Sequence, residues 1–154
     1  MKIRDCMKRN VVSISSTQTI AEAASMVVKR HIGLLPVVDE QGIPIGVVRL
    51  NDLISLELPD FINLITDLDF VHDFGAVETT RPTSEVLERP ILSLMQPVTV
   101  IHENDGLLRT YALLQQNNLS DILVVNTKGK LVGIVSRVDV ATAVLSMWSK
   151  EDRV

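Results

Sequence analysis

Apolar and polar positions run through the same order twice along the chain. Each round opens with a short β-branched piece, at residues 11–14 and again at 98–101. A stretch of helical periodicity follows. Ile20, Ala23, Ala24, Val27 and Val28 share one face in the first round, and Leu107, Leu108, Tyr111 and Leu114 share one in the second. Thr19 and Asp105 stand where each periodic stretch begins, and their side-chain oxygens suit a helix N-cap. Two brief apolar runs come next, at 34–38 and 45–48, then at 122–125 and 131–135. The links between them, DEQG and NTKG, are polar and end in glycine, which predicts hairpin turns. A second helix is expected after each hairpin, so each round reads β-α-β-β-α.

The two rounds are copies of one another. IGLLPVVDEQGIPIGVVRLNDL (32–53) aligns without gaps on LSDILVVNTKGKLVGIVSRVDV (119–140). Val37/Val124, Val38/Val125, Gly42/Gly129, Gly46/Gly133, Val48/Val135 and Asp52/Asp139 coincide. Upstream the match continues with small shifts, and Met7 parallels Met95. At 154 residues the chain has room for one sizeable core or for two small modules sharing one. A lone unit leaves much of its sheet uncovered, so the copies are expected to pack on each other as a pseudo-two-fold pair.

The order M-x₃₋₄-V-x-[ST]-[VI], an alanine-rich helix, G-h-x-x-P-V-[VI]-[DN] and G-h-[VI]-[ST]-x-x-D resembles the cystathionine-β-synthase (CBS) domain. Two in tandem resemble a Bateman module. The likeness covers about residues 1–58 and 91–148. It implies an α/β (α+β) fold of two β-α-β-β-α repeats packed as a pseudo-two-fold pair, with a helical insert between them. The repeats are placed at 1–58 and 91–154, and an acidic helical insert and linker at 59–90.

The candidate chemistry lies in GIVSRVD (133–139). A strand running into Ser-x-x-Asp is a capping-box pattern, with Ser136 accepting the Asp139 N–H for about 1 kcal/mol. The same geometry offers a helix N-terminus that favours phosphate, and a carboxylate able to accept both hydroxyls of a ribose. The CBS resemblance implies the second role for Ser136 and Asp139, with Thr99 and Val100 beside an adenine. In the first copy Asp52 persists, but Arg49 replaces the Ser/Thr and Asn51 precedes the aspartate. Arginine is a poor cap. Its guanidinium either grips a phosphate bidentately or pairs with Asp52 and fills the site. Ser13 and Ile14 are the implied base-side residues of that copy.

The G-h-x-x-P element is intact in the first copy as Gly33, Leu34, Leu35 and Pro36. In the second it has decayed to Ser120, Asp121, Ile122 and Leu123. Asp121 either faces the cleft, where it opposes a phosphate, or faces solvent. One competent site around Ser136 and Asp139 is expected, taking AMP, ADP or ATP, with S-adenosylmethionine as an alternative and no metal.

Residues 59–78 belong to neither copy. Pro59 and Gly75 suit the start and stop of a helix, with Phe61, Leu64, Ile65, Leu68 and Val71 on one face. Phe70 and Phe74 lie toward the opposite face, so this helix is either buried in its own module or meets a second partner. Asp67, Asp69, His72 and Asp73 scatter around it and read as a solvated face rather than a metal site. Residues 76–91, with two Arg-Pro breaks, read mainly as linker.

The net charge is −4, and residues 59–91 alone carry −5. A near-neutral remainder argues against nonspecific nucleic-acid binding. No apolar run approaches a membrane span and the N-terminus lacks an apolar h-region, so a cytoplasmic protein is expected. The lone Cys6 forms no internal disulfide and reads as a bland cysteine. With no GxGxxG, P-loop, G-x-S-x-G or HExxH, no catalysis is expected. The chain starts within one copy and ends shortly after the other. A regulatory module sensing an adenosine-type small molecule is therefore expected to form a homodimer and to act on a partner protein in trans, or to be a piece of something larger. The alternative is a structural dimerisation module with no nucleotide site.

Overall fold

The computed structural model describes residues 1–58, 72–75 and 81–151. Among them the chain builds two three-stranded sheets of one design. In the first, β1 (Ile14–Ser15) leads through α1 (Ile20–Arg30) to β2 (Leu34–Val38), which lies parallel to β1. The strand β3 (Pro44–Arg49) returns antiparallel to β2 and runs into α2 (Leu50–Ile54). A short helix, α3 (Ser84–Leu87), precedes the second sheet. There β4 (Val100–His102), α4 (Leu107–Gln116), β5 (Asp121–Val125), β6 (Leu131–Ser136) and α5 (Arg137–Glu151) repeat the same connections. Even the irregularity of register recurs, at Val37/Val38 and at Val124/Val125.

The turns form as their residues dictate. Asp39 Oδ1 accepts the N–H groups of Gln41 and Ile43 at 2.9 and 3.0 Å, and Asn126 Oδ1 accepts those of Lys128 and Lys130 at the same distances. Gly42 and Gly129 close these turns at φ 81° and 79°, the left-handed region where a Cβ is disfavoured.

Several expectations are corrected. Thr19 does cap α1, accepting the Glu22 N–H at 3.2 Å, but Gly106 rather than Asp105 occupies the N-cap of α4. Asp105 is already engaged one residue earlier, where its carboxylate accepts the His102 N–H at 3.0 Å and meets Arg109 at 3.1 Å. Val28 and Leu108 are 79% and 71% exposed, outside the buried stripes. Thr110 takes a core place on α4 because its hydroxyl donates to the Gly106 carbonyl at 2.9 Å. Within the stretch read as linker, Thr83 caps α3, and Leu87 packs on the first core. The helix expected from Pro59 to Gly75 lies outside the described residues at 59–71, and it does not extend through 72–74, where Asp73 Oδ1 instead accepts the Gly75 N–H at 2.8 Å.

The first strands are also displaced, and the cause is an exchange of arms. Residues 1–8 precede the first sheet but pack on the second, where Ile3 and Met7 join Ile101, Leu114 and Val135 in one core. Conversely Ile91, with Leu94 and Met95 beside it, joins Ile14, Leu35 and Val48 in the first core. The main chain follows suit. Lys8 and Ile134 exchange N–H···O bonds of 2.9 and 3.0 Å, and Gln96 and Val47 exchange bonds of 2.8 and 3.0 Å. Each arm is thus held by the other copy's sheet, and β1 and β4 begin only after the chain has crossed back.

The recurrent glycine of GVV and GIV is explained by this crossing. A Cβ on Gly133 would lie 2.6 Å from Met7 Sδ, and one on Gly46 would collide with the Met95 side chain and stand 2.9 Å from the Gln96 carbonyl. The parallel of Met7 with Met95 is therefore one contact made twice across the pseudo-two-fold axis.

Candidate functional site

The second copy ends β6 at Ser136 and starts α5 at once. The Ser136 N–H donates to Asp139 Oδ2 at 2.9 Å, and the Asp139 N–H donates to Ser136 Oγ at 3.0 Å. This reciprocal pair realises the capping box and holds both side chains at the strand–helix junction. The first copy keeps half of it: the Arg49 N–H donates to Asp52 Oδ2 at 2.7 Å, while the guanidinium has no acceptor with which to answer. Arg49 does not turn onto Asp52. Among the described residues the ion pairs are Lys8–Asp139 and Arg109–Asp105.

A cleft of about 260 Å³ opens between the copies. One wall is the arm crossing from the first copy, with Lys8, Asn10, Val11 and Val12, backed by Ile32, Gly33 and Leu34 at the entry to β2. The opposing copy supplies Asp121 and Ile134. Ile134 and Ser136 are two apart on β6 and share a face, and Asp121 is the cross-strand partner of Ser136. Lys8 ties the cleft to Asp139, its ammonium lying 3.8 Å from Asp139 Oδ2. Gly33 and Leu34 of the first copy therefore share the cleft with Asp121 and Ile134 of the second, and Lys8 is the contact between this cleft and Asp139.

The two altered elements also meet. Arg49 lines an adjoining cavity of about 90 Å³ together with Gly33, Leu34, Ser120 and Asp121. Asp121 faces the cleft, which decides one question left open by the sequence. Its Oδ2 accepts the Ser120 hydroxyl at 3.1 Å.

The remaining sequence candidates divide. Leu34 lines both cavities, whereas Leu35 is a core residue and Pro36 is buried beside it. Ile14 is 1% exposed within the first core and offers no surface to a base. Ser13 is half-buried next to the cleft residue Val12. Asp52 Oδ2 accepts the Arg49 N–H, as Asp139 Oδ2 accepts that of Ser136, and Asp52 lines neither cavity. Thr99 is exposed, and Val100 lines a separate cavity with Ile43, Pro44 and His102, so neither is brought to Ser136. The cleft is lined by residues of both copies, whereas the base-side and sugar-side candidates from the sequence were grouped within one copy. Lys8, Asn10, Val11, Val12 and Ile134 line the cleft and were not among the sequence candidates. The Met7/Met95 parallel marked the arms, but no local pattern states which sheet an arm joins.

Asp139 itself lines a separate cavity of about 380 Å³, together with Asp5, Cys6 and Thr142. Burial pushes the Cys6 thiol above its ordinary 9.0, and the charges of Asp139 and Asp5 push the same way. The thiolate is disfavoured there, as befits an unreactive cysteine. Among the described residues no group of three or more His, Cys, Asp or Glu is arranged to hold a metal, and no helix is long and apolar enough to cross a membrane. Asp67 and Asp69 lie outside the described residues.

Comparison with known proteins follows the same boundaries. The CBS domain model matches residues 3–58 and 90–146. The chloroplastic CBS domain-containing protein CBSX2 of Arabidopsis thaliana is 26% identical over 147 residues, 91% of this chain and 61% of the relative. Its crystal structure in complex with AMP superposes with a TM-score of 0.70 at 23% identity, covering 95% of this chain and 97% of that one. The CBS domain pair of protein MJ0100, solved with 5′-methylthioadenosine and S-adenosyl-L-methionine, gives a TM-score of 0.67 at 21% identity over 96% of this chain and 98% of that one. These superpositions establish the shared fold. The chain spans less than two thirds of the length of the first curated relatives it matches.

Proposed function

Because the chain belongs to the CBS-domain family, we propose that the cleft between its copies binds an adenosine-containing ligand and that this binding regulates a partner protein. The observation carrying this reading is the composite cleft, lined by Gly33 and Leu34 of the first copy and Asp121 and Ile134 of the second, with Lys8 on its wall 3.8 Å from Asp139. Val11, Val12, Leu34 and Ile134 supply apolar surface for a base. Asp139 supplies acceptors for ribose hydroxyls at the junction with α5, and Ser136 a hydroxyl on the same side. The ligands of solved relatives support the same class: AMP with CBSX2, methylthioadenosine and S-adenosylmethionine with MJ0100, and ATP with a CNNM/CorC transporter domain.

Regulation follows from where the cleft sits. A ligand touching both copies favours the arrangement in which its two walls fit it, and shifts the equilibrium by its difference in affinity between arrangements. The role is regulatory rather than catalytic, and the regulated protein acts in trans or is joined to this segment. Exposed apolar side chains on the helices, Val28, Leu50 and Ile54 on one side and Val138, Leu145 and Trp148 on α5, suit a homodimer contact.

Calorimetry on protein stripped of copurified ligand tests the reading, with AMP, ATP, methylthioadenosine and S-adenosylmethionine as probes. At least one should bind, and Asp139→Ala/Ser136→Ala should lose that binding while remaining folded by circular dichroism. A ligand at a hundredfold its dissociation constant stabilises a fold by about 2.7 kcal/mol, so thermal shifts should agree. Binding undiminished in the double variant sinks the assignment of these residues. No binding of any probe to the native protein leaves a helix cap in a dimerisation module.

A further inference from the structure

The cavity beside the cleft holds two opposite charges that do not touch. Arg49 comes from the first copy and Asp121 from the second, and both line the same space of about 90 Å³. That space adjoins the larger cleft, with which it shares Gly33, Leu34 and Asp121. Neither residue enters an ion pair among the described residues, where the pairs formed are Lys8–Asp139 and Arg109–Asp105. Strand pairing fixes the arrangement, placing Arg49 opposite Leu34 on one sheet and Asp121 opposite Ser136 on the other. Arg49 and Asp121, one from each copy, thus line one cavity without pairing.

Taking the adenosine reading of the cleft as its basis, we propose that this cavity receives an amino-acid tail, so that the site selects an amino-acid-bearing adenosine over a nucleoside polyphosphate. An α-ammonium and an α-carboxylate leave the same carbon, and a receptor for them needs an acid and a base held apart. The planar guanidinium of Arg49 matches the carboxylate bidentately. The Asp121 carboxylate accepts from the ammonium, one of its oxygens already oriented by the Ser120 hydroxyl at 3.1 Å.

A polyphosphate fares differently. It carries only negative acceptor oxygens, so it gains from Arg49 but is repelled by Asp121 at the lip of the cleft. Lys8 is the other cation on the cleft wall, and it lies 3.8 Å from Asp139. The charged residues lining the two cavities are therefore Lys8 and Arg49 against Asp121, and Asp139 behind Lys8 offsets part of its charge. That near balance suits a zwitterionic tail, and a sulfonium centre adds a positive charge that the carboxylates favour.

Titration calorimetry with five probes decides it: S-adenosylmethionine, S-adenosylhomocysteine, 5′-methylthioadenosine, AMP and ATP. The two probes with amino-acid tails should bind at least tenfold more tightly than methylthioadenosine, which lacks the tail, and ATP should bind more weakly than either. Asp121→Asn should strengthen ATP and weaken S-adenosylmethionine. Arg49→Gln should remove the advantage of S-adenosylhomocysteine and leave methylthioadenosine unchanged. Tighter binding of ATP or AMP than of S-adenosylmethionine by the native protein overturns the selection while leaving an adenosine site in place. Failure of all five removes the adenosine reading and the selection together. The rank order on native protein is decisive even where a variant misfolds.

Discussion

Gly46 and Gly133 show what a single missing Cβ accomplishes here. Each lets a methionine from the opposite arm lie against the sheet, and each sits at a position where the arm also exchanges main-chain hydrogen bonds. Overpacking such a contact usually costs about 1–3 kcal/mol. Gly46→Ala should be the worse of the pair, since its Cβ meets the Gln96 carbonyl at 2.9 Å as well as Met95, and a backbone atom cannot swing away. Gly133→Ala meets the flexible end of Met7 and a backbone carbonyl too, that of Lys8, but at a looser 3.1 Å. Urea unfolding of both variants checks the order, and equal small losses would contradict the close approach. The two glycines were legible as a repeat in the sequence. Their purpose was not, because the methionine that requires each lies far from it along the chain. The Ser136/Asp139 pair was legible for the opposite reason: its partners are three residues apart and need no tertiary context to bond.

Helices, hairpins and turns were placed well by local pattern, and the arms were not. The strands β2 and β5, the DEQG and NTKG turns and the cap at Thr19 depend on neighbours a few residues away, so periodicity and turn chemistry suffice to find them. The arm holding Ile3 has no such neighbours. It is fully buried, yet in the core of a sheet that begins almost a hundred residues later. Ile3→Ala should destabilise the protein by about 2–5 kcal/mol, as large-to-small core changes do. Hydrogen exchange should then rise first in α4 and β5, and not in the nearer α1. Ile91→Ala should reverse that pattern. Exchange rising first in the sequence-adjacent sheet would show that the arms do not cross.

Crossed arms join the two copies into one folding unit. Each core contains residues from both ends of the repeat order, so neither closes without the other. Denaturation should accordingly proceed as one transition, with the slowest-exchanging amides of both sheets reporting the same global free energy. Two separated transitions would mean that the copies fold alone and merely touch. The same crossing makes the cleft composite, so that on the proposed reading a ligand there would sense the relation between copies rather than the state of one. The repeat, the β-α-β-β-α order and the candidate Ser136/Asp139 junction follow from the amino-acid order alone, because short-range periodicity, turn residues and capping act between near neighbours. Which half faces which, and so that Arg49 shares a cavity with Asp121 while Gly33 and Leu34 share a cleft with Ile134, depends on the path of two arms through space. That path is set by burying Ile3, Met7 and Ile91 in distant cores, a long-range packing preference that no local pattern encodes.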